Sequence, residues 1–165
     1  MSAKILNIPV FATTQQTSKL GPTCPELNLD TPNGISTLAH VDKTAFSMIT
    51  PEIKAAMAKL PNPTKVSCII VGIESHICVT QTTLDLLAGG HKVYIIADGV
   101  SSCNREEIPI ALARLRAEGA VVTTSESFLY ECMGDAGIAE FKEIAGVVKE
   151  TKEGTKGSLA ALCKF

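Results

Sequence analysis

The chain has 165 residues, of which 45% are hydrophobic and 19% charged, so it is long and apolar enough to bury a sizeable core and is not a disordered chain. A formal net charge of −2 leaves no broad basic footprint for nucleic acid. No apolar run approaches the ~20 residues a membrane-spanning helix needs. Residues Met1 to Pro9 lack the basic segment, apolar run and cleavage site of a signal peptide, so a cytoplasmic or other intracellular protein is expected, with no membrane partner. Cys24, Cys68, Cys78, Cys103, Cys132 and Cys163 form no CxxC pair, and reduced thiols are expected rather than a disulfide framework.

In chain order, residues 5–12 (ILNIPVFA) read as a short buried strand with a helical lead-in, and residues 13–38 as one long polar loop punctuated by Gly21-Pro22, Thr31-Pro32 and Asn33-Gly34. Lys43 falls in a following loop beside Phe46. Thr50 and Pro51 open a helix that runs to about Leu60 and stops at Pro61-Asn62-Pro63. Val66 to Val71 is an apolar, β-branched run expected to be a fully buried strand ending at Gly72, and a helix follows over residues 77–87. Lys92 to Ala97 is the next strand, with Asp98-Gly99 at its carboxyl end. Asn104 is expected to cap a helix through Glu118. Ala120 to Thr123 is a strand, Ser125 begins a helix, and residues 138–148 form the last helix. The domain is expected to span residues 1–150, with residues 151–165 as a Gly- and Lys-rich tail that is mobile or docks on a partner.

Strands alternating with helices imply parallel strands joined by right-handed crossovers, a three-layer, Rossmann-like α/β domain. Ligands of such sheets bind outside the carboxyl ends of strands. Residues 13–16, 72–78 and 98–103 all lie at such ends, which brings Gln15 into the candidate pocket. Cys78 stands where a strand feeds a helix, and a thiol there meets the positive end of the helix dipole and its N–H groups. That makes Cys78 a candidate nucleophile. His76 is the nearest candidate base, but residues two apart rarely face each other on such a turn. His91 is expected to be exposed, and His40 to line a pocket. No His, Asp or Glu spacing matches a metal site, and no glycine pattern makes a phosphate loop.

The segment Gly72-Ile73-Glu74-Ser75-His76-Ile77-Cys78-Val79-Thr80-Gln81-Thr82 resembles the nucleophile signature of the isochorismatase-like cysteine hydrolases, a superfamily that includes nicotinamidases, N-carbamoylsarcosine amidases and isochorismatases. Leu20-Gly21-Pro22-Thr23, Asp42-Lys43-Thr44-Ala45-Phe46-Ser47-Met48 and Thr124-Ser125-Glu126 are similar, more narrowly, to the isochorismatase domain-containing proteins of eukaryotes. The resemblance covers roughly residues 5–150. It implies the isochorismatase-like fold, with Cys78 as nucleophile and Lys43 as the lysine that stabilises its thiolate. It further implies a cis peptide at Ile73–Glu74 and an oxyanion hole made by the N–H groups of Glu74 and Cys78. Phe46, His76 and Gln15 are candidate substrate-pocket residues.

The family also has a triad Asp in an Asp-x-Gln motif on a first, central strand. Residues 1–165 carry no match to that strand: Ile8-Pro9-Val10-Phe11 matches the second, and Asp42 and Asp98 do not match the Asp. Two expectations follow: the sequence is a truncated product, or another segment fills the gap, in which case an intact sheet needs a replacement from the tail or a second subunit. No cofactor and no catalytic metal are expected. The implied function is hydrolysis of a small amide or carbonyl compound through a cysteine nucleophile. The alternative is a catalytically impaired member acting as an interaction or regulatory protein, and a third reading is a redox-sensing thiol. A homo-oligomer, dimer or tetramer, is the expected assembly.

Overall fold

A computed structural model describes residues 1–27, 29 and 37–163. A single turn of helix, α1 (Ser2–Ile5), precedes strand β1 (Val10–Gln15). The strand therefore starts later than the apolar run from Ile5 suggests. Asn7 adopts a left-handed backbone (φ 50°) that ends the helix, and Pro9 has no N–H to lend a ladder, so pairing begins at Val10. Helix α2 (Thr17–Leu20) and a 3-10 turn (Pro25–Leu27) follow. Parts of the expected long loop, including Thr31-Pro32 and Asn33-Gly34, lie outside the described residues.

Strand β2 (Thr37–Lys43) replaces the end of that loop and the start of the next, and it pairs parallel with β1, Gln15 opposite Lys43. Its burial alternates: Thr37, Ala39 and Val41 are half-buried, Leu38, His40 and Asp42 are exposed, and Lys43 is buried. The period-2 pattern is genuine, but its polar residues hide it from composition. Helix α3 (Pro51–Met57) starts as expected, with the Thr50 hydroxyl accepting the Ile53 N–H at 3.3 Å.

Strand β3 (Ser67–Ile73) passes through Gly72, which does not end it: Gly72 has φ 124°, a conformation open to glycine. A five-residue π-helical turn (Ser75–Val79) leads into α4 (Thr80–Ala88). Strand β4 (Lys92–Ser101), helix α5 (Glu107–Ala117), strand β5 (Val121–Thr123) and helix α6 (Ser125–Met133) complete the alternation. Asn104 does not cap α5 with its side chain. Its carbonyl accepts the Glu107 N–H at 3.1 Å in a preceding turn. Helix α7 (Phe141–Leu162) runs through the expected tail, Gly154 and Gly157 included, so Glu150 lies inside a helix. Its far end is held: the Arg105 guanidinium donates to the Ala161 carbonyl at 3.0 Å, and Leu162 and Cys163 pack on the core.

The strands form two parallel sheets, β1-β2 and β3-β4-β5. β4 is covered on both faces. Val93, Ile95 and Ala97 pack with Leu86 of α4 and Ile108, Leu112 and Leu115 of α5. Tyr94 and Ile96 point the other way, where the Tyr94 ring meets Phe128 of α6 edge-on at 5.0 Å. The result is the α/β, parallel-sheet, helix-flanked architecture that the sequence implies. β3 is not the fully buried strand expected. Of its residues only Ile70 is buried, because one edge pairs with β4 and no strand among the described residues pairs with the other. Nor does the tail fill that edge, since it is helical.

Leu112 is fully buried between α5 and β4. Leu112→Ala should lower unfolding stability by about 2–5 kcal/mol in urea titration, through lost transfer free energy and a residual cavity.

Candidate functional site

Lys43 is the last residue of β2, and the alternation of that strand turns it inward, where it is 7% exposed. Three oxygens take its ammonium: Gln15 Oε1 at 2.5 Å, the Ala45 carbonyl at 2.9 Å and the Phe46 carbonyl at 3.1 Å. All three are neutral. Burial pushes the Lys43 pKa down from the ordinary lysine value, opposed by the charges of a Cys78 thiolate and of Asp42. Gln15 also donates its amide to the Thr44 carbonyl at 2.8 Å. Both ends of that side chain are thus spent on the loop that holds the lysine, so Gln15 positions Lys43.

Asp42, pointing outward, ties β2 to α2. It accepts the Thr17 N–H at 2.9 Å and the Thr14 and Thr17 hydroxyls at 3.0 Å each. The Thr17 N–H is the main cause holding its carboxyl below the usual aspartate value.

The second sheet brings Cys78 to the same place. The Ile73–Glu74 peptide is cis, as the resemblance implies. After it the chain enters the π turn, in which the Glu74 carbonyl accepts the N–H groups of Ile77 and Val79, both at 3.1 Å. Such turns interrupt helices frequently at functional sites. Cys78 sits in this turn as a half-buried free thiol. The turn is fastened from beneath: Ser75 is fully buried, its N–H donates to the Ser102 hydroxyl at 3.1 Å, its own hydroxyl pairs with that hydroxyl, and its carbonyl accepts the Thr80 hydroxyl at 2.7 Å.

His76 Nδ1 also lies 2.9 Å from the Ser102 hydroxyl, so that nitrogen serves the turn. Ser102 is the site residue that sequence reasoning missed. The segment 98–103 marks a strand end, but nothing in it singles out Ser102. The Phe46 backbone holds Lys43 while its side chain is 51% exposed at the rim. His40 pairs with the Thr23 hydroxyl at 3.0 Å. His91 is half-buried rather than exposed, because its Nδ1 accepts the Val66 N–H at 3.3 Å.

Among the described residues, Glu74, His76 and Cys103 bring donor atoms of the types that bind zinc within 4.8 Å of one another. Two of these groups already have protein partners: Glu74 Oε2 accepts the Cys103 N–H at 2.6 Å, and His76 is held by Ser102. Asp98, expected at a strand end, faces α6 instead. It accepts the Ser125 N–H at 2.7 Å and the Ser125 hydroxyl at 2.5 Å.

A parallel α/β sheet whose strand ends present Lys43 and a cysteine-bearing turn is the architecture of the isochorismatase-like hydrolases, and the isochorismatase domain model matches residues 1–127. The chain belongs to this family. It is 40% identical over 151 residues to a secreted isochorismatase effector, Isc1, of Phytophthora sojae, covering 90% of this chain and 70% of that one. It is also 40% identical over 149 residues to isochorismatase domain-containing protein 2 of Xenopus laevis, covering 90% and 69%. Among solved structures it is similar to MAR1 ribonuclease from Caenorhabditis elegans, with a TM-score of 0.78, 36% identity, and coverage of 89% of this chain and 72% of that one. No helix among the described residues is long and apolar enough to cross a membrane.

Because the folded state lowers the Lys43 pKa, the unfolded chain binds the proton more tightly, and stability must rise with pH between the lowered value and the ordinary 10.5. Below the lowered value the burial penalty is fully present. Urea titrations from pH 7 to 10.5 should show this rise in the parent chain, and Lys43→Met should remove that component of the slope.

Proposed function

We propose that the protein is a cysteine hydrolase acting on a small amide or carbonyl compound. The observation that carries this reading is the meeting of two strand ends: the buried Lys43 ammonium lies within electrostatic reach of Cys78 in the π turn. A cation beside a thiol favours its thiolate, and the thiolate is the nucleophile. Cys78 Sγ attacks the carbonyl carbon, a C–S bond forms, and the π pair moves to the carbonyl oxygen. The backbone N–H groups of Glu74 and Cys78 receive that oxyanion. Collapse expels the leaving group, which takes up a proton from solvent water. Water then attacks the acyl carbon and gives up a proton to solvent, the C–S pair returns to sulfur to restore the Cys78 thiolate, and the acid product departs. Gln15 and the carbonyls of Ala45 and Phe46 keep Lys43 in place, and Phe46 and His76 flank the entrance.

Two features support the pairing over a Cys–His arrangement. His76 Nδ1 is engaged with Ser102, and the hydrogen-bond partners of Lys43 among the described residues are the neutral oxygens of Gln15, Ala45 and Phe46. Burial raises the pKa values of Cys68, Cys132 and Cys163, so these thiols are poor competitors for an electrophile.

At neutral pH, iodoacetamide should label Cys78 faster than the other five cysteines, read by peptide mass spectrometry, and Lys43→Met should slow that labelling by about tenfold. Uniform slow labelling would favour the interaction or regulatory reading. With p-nitrophenyl acetate and a panel of small amides as substrates, Cys78→Ala should fall to the uncatalysed rate. Activity unchanged in that variant would remove the nucleophile role. Cleavage of an RNA oligonucleotide, with no turnover of the amides, would overturn the substrate class.

A further inference from the structure

The hydrolase reading leaves the Glu74 carboxylate and the Cys103 thiol without a task. Ile73 and Ser101 are ladder partners at the ends of the parallel strands β3 and β4, so the residues just beyond them come abreast. Glu74 and His76 follow one strand and Cys103 the other, and one donor atom of each lies within 4.8 Å of the other two. Glu74 and His76 are half-buried and Cys103 is exposed. Carboxylate oxygen, imidazole nitrogen and thiolate sulfur are the donor types of zinc sites, and a tetrahedral zinc ion holds such atoms about 3.3–3.6 Å apart. Side-chain rotation closes the remaining distance, and the exposed Cys103 is free to make it. Glu74 and Cys103 are 29 positions apart, so sequence spacing gives no sign of the group.

The surroundings hold these side chains without satisfying them. Among the described residues the Glu74 carboxylate forms no ion pair. Arg105 is turned to the Ala161 carbonyl at 3.0 Å. Glu74 Oε2 accepts the Cys103 N–H at 2.6 Å, which fixes the Cys103 backbone against the carboxylate and leaves the second oxygen open. His76 is steadied through Nδ1, 2.9 Å from the Ser102 hydroxyl. That hydroxyl accepts the Ser75 N–H at 3.1 Å and is paired with Ser75 Oγ. It can accept an Nδ1–H as well while giving its own proton to Ser75 Oγ. In that state Nε2 carries the free lone pair of the ring, which is how ligating histidines are ordinarily held. Ser75 is fully buried, so the support is a rigid one.

We propose that Glu74, His76 and Cys103 bind a zinc ion, Glu74 through a carboxylate oxygen, His76 through Nε2 and Cys103 through Sγ. Binding replaces the S–H bond with a Zn–S bond and releases the thiol proton to solvent. One carboxylate and one thiolate then balance the charge of the divalent ion. Sulfur and imidazole nitrogen select zinc over magnesium and calcium, which take oxygen ligands. Three protein ligands leave a fourth position for water or for a donor atom of a bound molecule. The ion would also tie the end of β3 to the end of β4. Its binding is independent of whether Cys78 is catalytic.

The test uses the full chain, stripped of metal with a chelator, kept reduced, and titrated with Co²⁺ and then Zn²⁺. A single Co²⁺ per chain should give a thiolate-to-cobalt charge-transfer band in the near ultraviolet, and Zn²⁺ should bleach it. Cys103→Ser should abolish the band, and because Cys103 is exposed this variant should melt where the metal-free parent does. Glu74→Gln and His76→Gln should each weaken binding by more than about tenfold. Zn²⁺ should raise the melting temperature of the parent chain and not that of Cys103→Ser. A band that survives Cys103→Ser, or one that is lost in Cys78→Ala, would overturn the proposal by giving the thiolate to another cysteine. So would the absence of a saturable band, or an equal rise in melting temperature with Mg²⁺.

Discussion

The arrangement of the strand ends depends on one buried cation. Lys43 is the last residue of an otherwise modest strand, and the ammonium is out of water with only neutral oxygens as direct partners. An ammonium held this way depresses its own pKa and demands well-aligned acceptors, which is why Gln15 and the carbonyls of residues 45 and 46 are committed to it. That commitment shapes the loop after β2 and locks the register of β1 against it. A charge on Cys78 would oppose the effect of burial on that ammonium. A second fastening runs nearby, where the Met48 N–H donates to the Thr82 hydroxyl of α4 at 2.9 Å.

The π turn is the complementary half. Its Ser75 side chain is fully buried, and the Ser75–Ser102 contact ties the turn to the end of β4. The end of β4 is itself irregular. Ile70 pairs with Ile95 and Gly72 with Val100, so β4 carries extra residues across that stretch. Gly99 lies there, and a Cβ on it would come within 3.1 Å of Val71 Cγ1. Asp98 in the same stretch reaches across to the start of α6, and Ser102 beyond it reaches the π turn. A bulge at a strand end thus re-aims two side chains, one toward a helix and one toward the cysteine turn.

Much of the alternation could be read from residues 50–133, where elements are strongly patterned and well punctuated. Pro51 after Thr50, the run Val66 to Val71, Lys92 to Ala97, and Ser125 after Thr124 each carry a local signal sufficient to place an element. The weaker regions failed for local reasons. β2 interleaves His40 and Asp42 with its inward residues, so its composition reads as loop. The segment after Glu150 is rich in Gly and Lys, which argues against a helix on propensity, yet packing of Ile144 at one end and Leu162 at the other overrides that cost. β3 looked fully buried because apolar content reports what a strand can bury, not which neighbours it has.

The sequence alone determined the class of fold and the strand-to-helix joint at Cys78, and through resemblance it pointed to Cys78 and Lys43 together. These are local or motif properties, set by hydrophobic period, turn residues and short signatures. Tertiary structure decided what distance along the chain hides. It turned Lys43 inward, set Gln15 against the lysine, and enlisted Ser102 under the turn. Hydrogen-bond partners and burial are set by which elements meet, and elements 30 or more residues apart meet only when the chain has folded.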